Sequence, residues 1–147
     1  MKFSLAISLL LLALGVSSCG RYQSHLHESA TWRAYRNGKS DELPAAEIVQ
    51  GERLLAFEHI VGLPVPGGYN ATLVAKDPEL VRVEYVTVNR GSRTYVTGLQ
   101  PGETRLYLVN GFAVGNQIHQ GASAVEDQIT KHTPTFPLVI KPSQTGS

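Results

Sequence analysis

Residues 81–110 decide the fold. They read Val81-Arg82-Val83-Glu84-Tyr85-Val86-Thr87-Val88, Asn89-Arg90-Gly91-Ser92, Arg93-Thr94-Tyr95-Val96-Thr97-Gly98-Leu99, Gln100-Pro101-Gly102-Glu103, Thr104-Arg105-Leu106-Tyr107-Leu108-Val109-Asn110. Val81, Val83, Tyr85 and Thr87 alternate with Arg82, Glu84, Val86 and Val88, the period of two that sets side chains on opposite faces of a strand. Thr94 and Val96 alternate with Tyr95 and Thr97, and Leu106 and Leu108 with Tyr107 and Val109. β-Branched and aromatic side chains suit a pleated surface. Between these runs, Asn89 to Ser92 predicts a hairpin-like connection. Gln100-Pro101-Gly102-Glu103 predicts a turn, since Pro presets φ and Gly supplies positive φ.

The pattern extends outward on both sides. Tyr69, Ala71, Leu73 and Ala75 oppose Asn70, Thr72, Val74 and Lys76, before Asp77-Pro78 turns the chain. In residues 53–61, Leu55, Phe57 and Val61 fall on one side and Leu54, Ala56 and Ile60 on the other, so both faces read as buried. Pro64, Pro66 and Gly67-Gly68 interrupt regular pairing. Residues 136–141 supply a last strand, and residues 123–131 carry a faint helical pattern. Short strands separated by turn residues predict an all-β, antiparallel sandwich or barrel.

The chain has 147 residues, one domain's worth, with 42% hydrophobic and 17% charged residues. It has 13 Lys+Arg against 12 Asp+Glu, and setting Lys2 aside leaves 12 against 12. Without a net basic field, nucleic acid is not an expected partner. A single cysteine excludes an intrachain disulfide and a multi-thiolate metal site.

That cysteine sits in a telling place. Met1-Lys2 precedes an apolar run, residues 3–16, interrupted only by Ser4, Ser8 and Gly15. The run is short of the roughly 20 residues a spanning helix needs and fits a secretory leader. Val16-Ser17-Ser18-Cys19 resembles the lipobox of bacterial lipoproteins. The resemblance implies a diacylglyceryl thioether on Cys19, cleavage before Cys19, and acylation of the new amino terminus. The lipid bilayer is then a partner, because two or three acyl chains anchor stably where one does not. Gly20 in place of Asp implies outer-membrane sorting in a diderm. The alternative is an ordinary cleaved leader with an incidental cysteine.

The expected organisation is a signal peptide (1–18), a lipidated cysteine and polar tether (19–51), a sandwich (52–142) with a long insertion (111–135), and a flexible tail (143–147). Within the tether, Tyr22, Trp32 and Tyr35 lie among Arg21, Arg33, Arg36 and Lys39, so packing on the domain competes with the tether reading. His25-Leu26-His27-Glu28 would put two imidazoles on one side of a strand. No further ligand stands at a standard spacing, so no metal is expected, and no other cofactor.

Residues 75–83, 93–99 and 101–108 resemble the bacterial Ig-like and pilus/secretin amino-terminal domains. In that pattern a "DP.l..V" segment precedes a "..v.G...G.t.l.v" pair of strands. The resemblance implies an Ig-like β-sandwich used in adhesion, surface display or envelope assembly. It gives Gly98 and Gly102 backbone roles and carries no catalytic residues. Residues 111–135 depart from it, since the last strand would follow after a tight turn. Such an excursion reads as a binding loop, a covering helix or a tolerated insertion.

No nucleophile–base setting, phosphate-cradling loop or obvious carboxylate pair stands in the sequence, so an enzyme is not expected. The candidate contact residues are Tyr85, Tyr95 and Tyr107, which would form an aromatic strip if their strands pair in register, with His119, Glu126 and Asp127 on the excursion. These readings predict a non-catalytic binding or assembly module of the bacterial envelope, with another envelope protein as partner. The rival is a ligand- or metal-binding periplasmic lipoprotein. It requires at least three of His25, His27, His59, His119 and His132 to converge.

Overall fold

A computed structural model describes residues 21–39, 42–60, 71–110 and 115–144. The leader, Cys19, the Pro64–Gly68 break and the last three residues of the tail lie outside the described residues. Eight strands appear: β1 (Arg21–Ser24), β2 (Ala46–Val49), β3 (Arg53–Ile60), β4 (Ala71–Ala75), β5 (Val81–Val88), β6 (Gly91–Gly98), β7 (Gly102–Asn110) and β8 (Thr135–Lys141). A helix, α1 (Ser29–Arg36), separates β1 from β2, and two 3-10 segments, Gly115–Gln120 and Ala122–Gln128, separate β7 from β8.

The strands form two four-stranded sheets, ordered β1-β3-β6-β5 and β2-β8-β7-β4. With β2 set aside, these are the ABED and GFC orders of an immunoglobulin-type sandwich. The first strand is split. β1 pairs antiparallel with β3, and after α1 the chain changes sheet so that β2 runs parallel to β8. Among the described strands that pair departs from the antiparallel arrangement expected, and an isolated parallel bridge joins Gln50 to Gly98 beside it.

The expected tether is a correction. From Arg21 onward it is built into the sandwich, supplying two edge strands and α1. Trp32 is 3% exposed, Leu43 2% and Ile48 2%. Trp32 stands 5.2 Å from the Phe136 ring and edge-on to Phe57 at 6.2 Å, so the segment supplies the centre of the aromatic core. Arg33 and Arg36 in the last turn of α1 complement its dipole. Tyr35 Oη accepts from the Thr135 backbone N–H at 2.9 Å, tying the helix to β8.

The main core gathers Phe57, Val81, Val83 and Val96 from one sheet and Leu73, Leu106, Phe136, Leu138 and Ile140 from the other. A bulge at Ala56 explains why β3 looks apolar on both faces. It shifts the phase by one residue, so Leu54 and Phe57 share the inner face, opposite Val96 and Thr94. Leu55 and Glu58 then turn outward.

Two glycines are required by close approach. A Cβ at Gly91 (φ 146°) would stand 1.8 Å from the His59 carbonyl oxygen, so the β5–β6 turn admits only glycine there. At Gly98 it would meet Ile140 at 2.8 Å, where Gly51 N–H donates to the Gly98 carbonyl at 2.9 Å and the chain crosses from β2 in the second sheet back to β3 in the first.

The excursion is a covering element over its described part. Ile118, Ala122 and Val125 bury themselves with Val74 and Val109 in a second core, against Tyr85, Tyr107 and Ile129. This closes the flank where β4 and β5, the edge strands of the two sheets, lie together. The faint helix expected over 123–131 is the 3-10 segment Ala122–Gln128.

Candidate functional site

The three tyrosines do not line up. Tyr85 pairs in register with Thr94, whereas Tyr95 faces Glu84 and Leu55, one residue out of phase. Adjacent residues of a strand point to opposite faces, so Tyr85 turns toward the second core and Tyr95 toward the outer face of its sheet. There the Arg53 guanidinium sits 3.8 Å from the Tyr95 ring centroid and its Nε donates to Glu84 at 2.8 Å. Tyr107 joins Tyr85 at the second core. The Tyr85 hydroxyl is buried without a hydrogen-bond partner.

His119, Glu126 and Asp127 are exposed on the excursion. His119 borders a cavity of about 280 Å³ with Pro78, Arg82, Leu99 and Ile118. Asp127 accepts from the Gln128 side chain at 2.8 Å. The excursion therefore has an apolar side spent on the domain and a polar side facing solvent.

Each histidine has its own surroundings. His25 Nε2 meets Glu58 at 3.1 Å, while Arg93 Nε donates to the same carboxylate at 2.8 Å. The Arg93 hydrogen bond is the main reason that the Glu58 carboxyl is held below its usual range. His27 Nε2–H donates to the Pro44 carbonyl at 2.7 Å, and its Nδ1 is buried without a partner. Burial pushes its pKa down, against the pull of that carbonyl. His59, 2% exposed, stacks on Tyr22 at 4.4 Å with an interplanar angle of 6°, and burial lowers its pKa too. Among the described residues no group of three or more His, Cys, Asp or Glu side chains is placed to hold a metal ion.

A second cavity, of about 270 Å³, was not anticipated. Tyr22, Trp32, Arg36, Ala71, Leu108 and Pro134 contribute to its lining. It lies where β1 begins, beside the start of β4 and the approach to β8. The Trp32 indole N–H is buried without an acceptor. The sequence offers one signal for it, the aromatic–arginine interleaving of residues 21–36, which was equally compatible with a membrane-resting tether.

No family model and no curated protein matches the chain. Among solved structures the chain is similar to domains 1–6 of surface layer protein SbsC, with a TM-score of 0.42 and 12% identity over 67% of this chain and 12% of that one. It is also similar to domains 4 and 5 of the S-layer protein SbsC, again with a TM-score of 0.42 and 12% identity, over 68% of this chain and 49% of that one. The chain thus spans half or less of each matched structure, and the fold assignment rests on the strand order itself: an all-β, immunoglobulin-type sandwich.

Proposed function

We propose that this protein is a lipid-anchored module of a bacterial cell envelope, binding or helping to assemble other envelope components without catalysing a reaction. The observation that carries the reading is the junction at the amino terminus. The lipobox-like Val16-Ser17-Ser18-Cys19 ends the apolar run, and the sandwich begins at Arg21. Cleavage before Cys19 would leave a mature chain whose first strand starts almost at its lipid. The binding surface in this reading is the polar side of the excursion, with Gln117, His119, Glu126 and Asp127 held on a rigid base by the apolar residues beneath. The expected partner is another envelope protein.

Mass spectrometry of protein purified from its native membrane should show an acylated Cys19 at the amino terminus. A Cys19→Ser chain should lose the acyl groups and the cleavage before residue 19, and so accumulate as the longer precursor. An unmodified sulfur in native material, or normal cleavage of Cys19→Ser, would sink the anchor reading. A small-molecule role has one observation in its favour, the unpartnered Trp32 N–H beside the second cavity. It predicts that an added amphiphile with an acceptor group shifts Trp32 fluorescence.

A further inference from the structure

We infer that the end of the sandwich where β1 begins is a membrane-facing surface that rests on anionic headgroups, an orientation that depends on the Cys19 anchor proposed above. The chain sets the distance. Two residue steps separate Cys19 from Arg21, at most about 7 Å of extended backbone. An acylated sulfur holds that residue at the bilayer surface, so Arg21 must lie within about 10 Å of the headgroups, one screening length at 0.1 M salt, and the charge around it decides how the rest of this end is turned.

The register says what else lies at this end. Arg21 pairs with Ile60, and Ile60 with Gly91, next to the exposed turn residue Arg90. Arg36 joins them beside the second cavity, whose lining includes Ala71 at the start of β4. Arg21, Arg36 and Arg90 are exposed, and among the described residues none of them makes an ion pair. Glu58, two residues inside the end of β3, is already taken by Arg93 and His25. Ile60 and Val86, each 40% exposed, give the same end apolar contacts.

The opposite end is mixed but more acidic, with exposed Arg82 at the start of β5 and the Arg53–Glu84 and Lys141–Glu47 pairs also there. Glu52, Asp77, Glu79 and Glu103 cluster in its turns, with Lys76 among them. β7, nine residues long, sets the two ends roughly 30 Å apart, beyond the reach of headgroup charge. An exposed Val49 at the far end means that apolar exposure does not separate the two ends, so the asymmetry is one of charge. Three exposed arginines without an ion pair at the anchored end, against four carboxylates with Lys76 and Arg82 in and beside the far turns, favour anionic lipid at the anchored end. The acidic end is then the one presented away from the membrane.

Depth-dependent quenching of the acylated full chain tests this. Since Cys19 carries its thioether, a fluorophore on Asn89→Cys reports the near end and one on Gln100→Cys the far end. In vesicles of phosphatidylethanolamine and phosphatidylglycerol with quencher-bearing lipid, the label at 89 should be quenched and the label at 100 not. Replacing Arg21, Arg36 and Arg90 by Ser in the Asn89→Cys chain should reduce quenching to its level in phosphatidylcholine vesicles, with the thermal midpoint unchanged. Equal quenching at both positions, or quenching at 89 indifferent to the three arginines, overturns the inference while leaving the anchor standing. A bare Cys19 in the mass spectrum of the same preparation overturns both.

Discussion

Trp32 ties the amino-terminal segment into the aromatic core of the sandwich. Its ring contacts Phe57, Phe136 and Tyr35, while its N–H has no partner. Trp32→Ala should therefore cost about 3–5 kcal/mol in denaturant unfolding, from lost contact and the cavity left behind. Trp32→Phe should cost only about 1 kcal/mol, because it forfeits no hydrogen bond. His27 and His59 govern the response to acid. Both have pKa values below the ordinary 6.5 in the folded state, because burial disfavours the cation. Between pH 6.5 and those lowered values the unfolded chain binds more protons than the folded one. Stability should be full above pH 6.5 and decline as pH falls below it, and His59→Phe should flatten that decline in urea midpoints measured against pH. A midpoint indifferent to pH between 7 and 5 would show that neither imidazole is held neutral.

At the scale of elements, the excursion between β7 and β8 acts first as a wall. Val125 is 1% exposed and Ile118 5%, both against the β4–β5 flank. Val125→Asp should destabilise the domain by several kcal/mol, since a carboxylate there has no counter-charge. Glu126→Lys, one residue away and exposed, should leave unfolding within about 0.5 kcal/mol of the parent and weaken capture of an envelope partner. Equal stability in the two variants would mean that the excursion does not seal the flank. The three strands over residues 81–110 were legible in the sequence because period and turn chemistry are both local there and agree, although only β5 and β6 form a hairpin and the Gln100–Glu103 turn carries β7 to the other sheet. Elements whose cause is not local were hidden. β2 is four residues long and is a strand only because β8 lies beside it. α1 shows just Trp32 and Tyr35 as an apolar face. In β3 a bulge changes the period partway along, so neither face reads as the inner one. The aromatic strip failed for a related reason: register between strands decides whether Tyr85 and Tyr95 share a face, and composition does not contain it.

For the whole molecule, the sandwich architecture followed from the sequence, but its extent did not. Residues 21–51 look like a tether by charge and by lack of periodicity, and a tether would hold the domain well clear of the bilayer. Their burial removes that spacing, so a lipid on Cys19 would leave the body close to the surface. The size of the Cys19→Ser chain, precursor or cleaved, checks the anchor, and the quenching comparison checks the orientation that follows from it. The second cavity escaped the sequence reading because its walls come from residues far apart in the chain, Trp32 and Leu108 among them.

The split first strand has a mechanical consequence. Arg21 lies at one end of the sandwich and the carboxyl end of β8 at the other, so tension between the termini draws β2 and β8 lengthwise in opposite directions. Their parallel pairing loads its bonds together, in shear, instead of peeling them open one at a time. Single-molecule extension should therefore show one high rupture peak, which Ile48→Pro should lower by breaking the β2–β8 ladder. A sequence of small early peaks would mean that the terminal strands unzip.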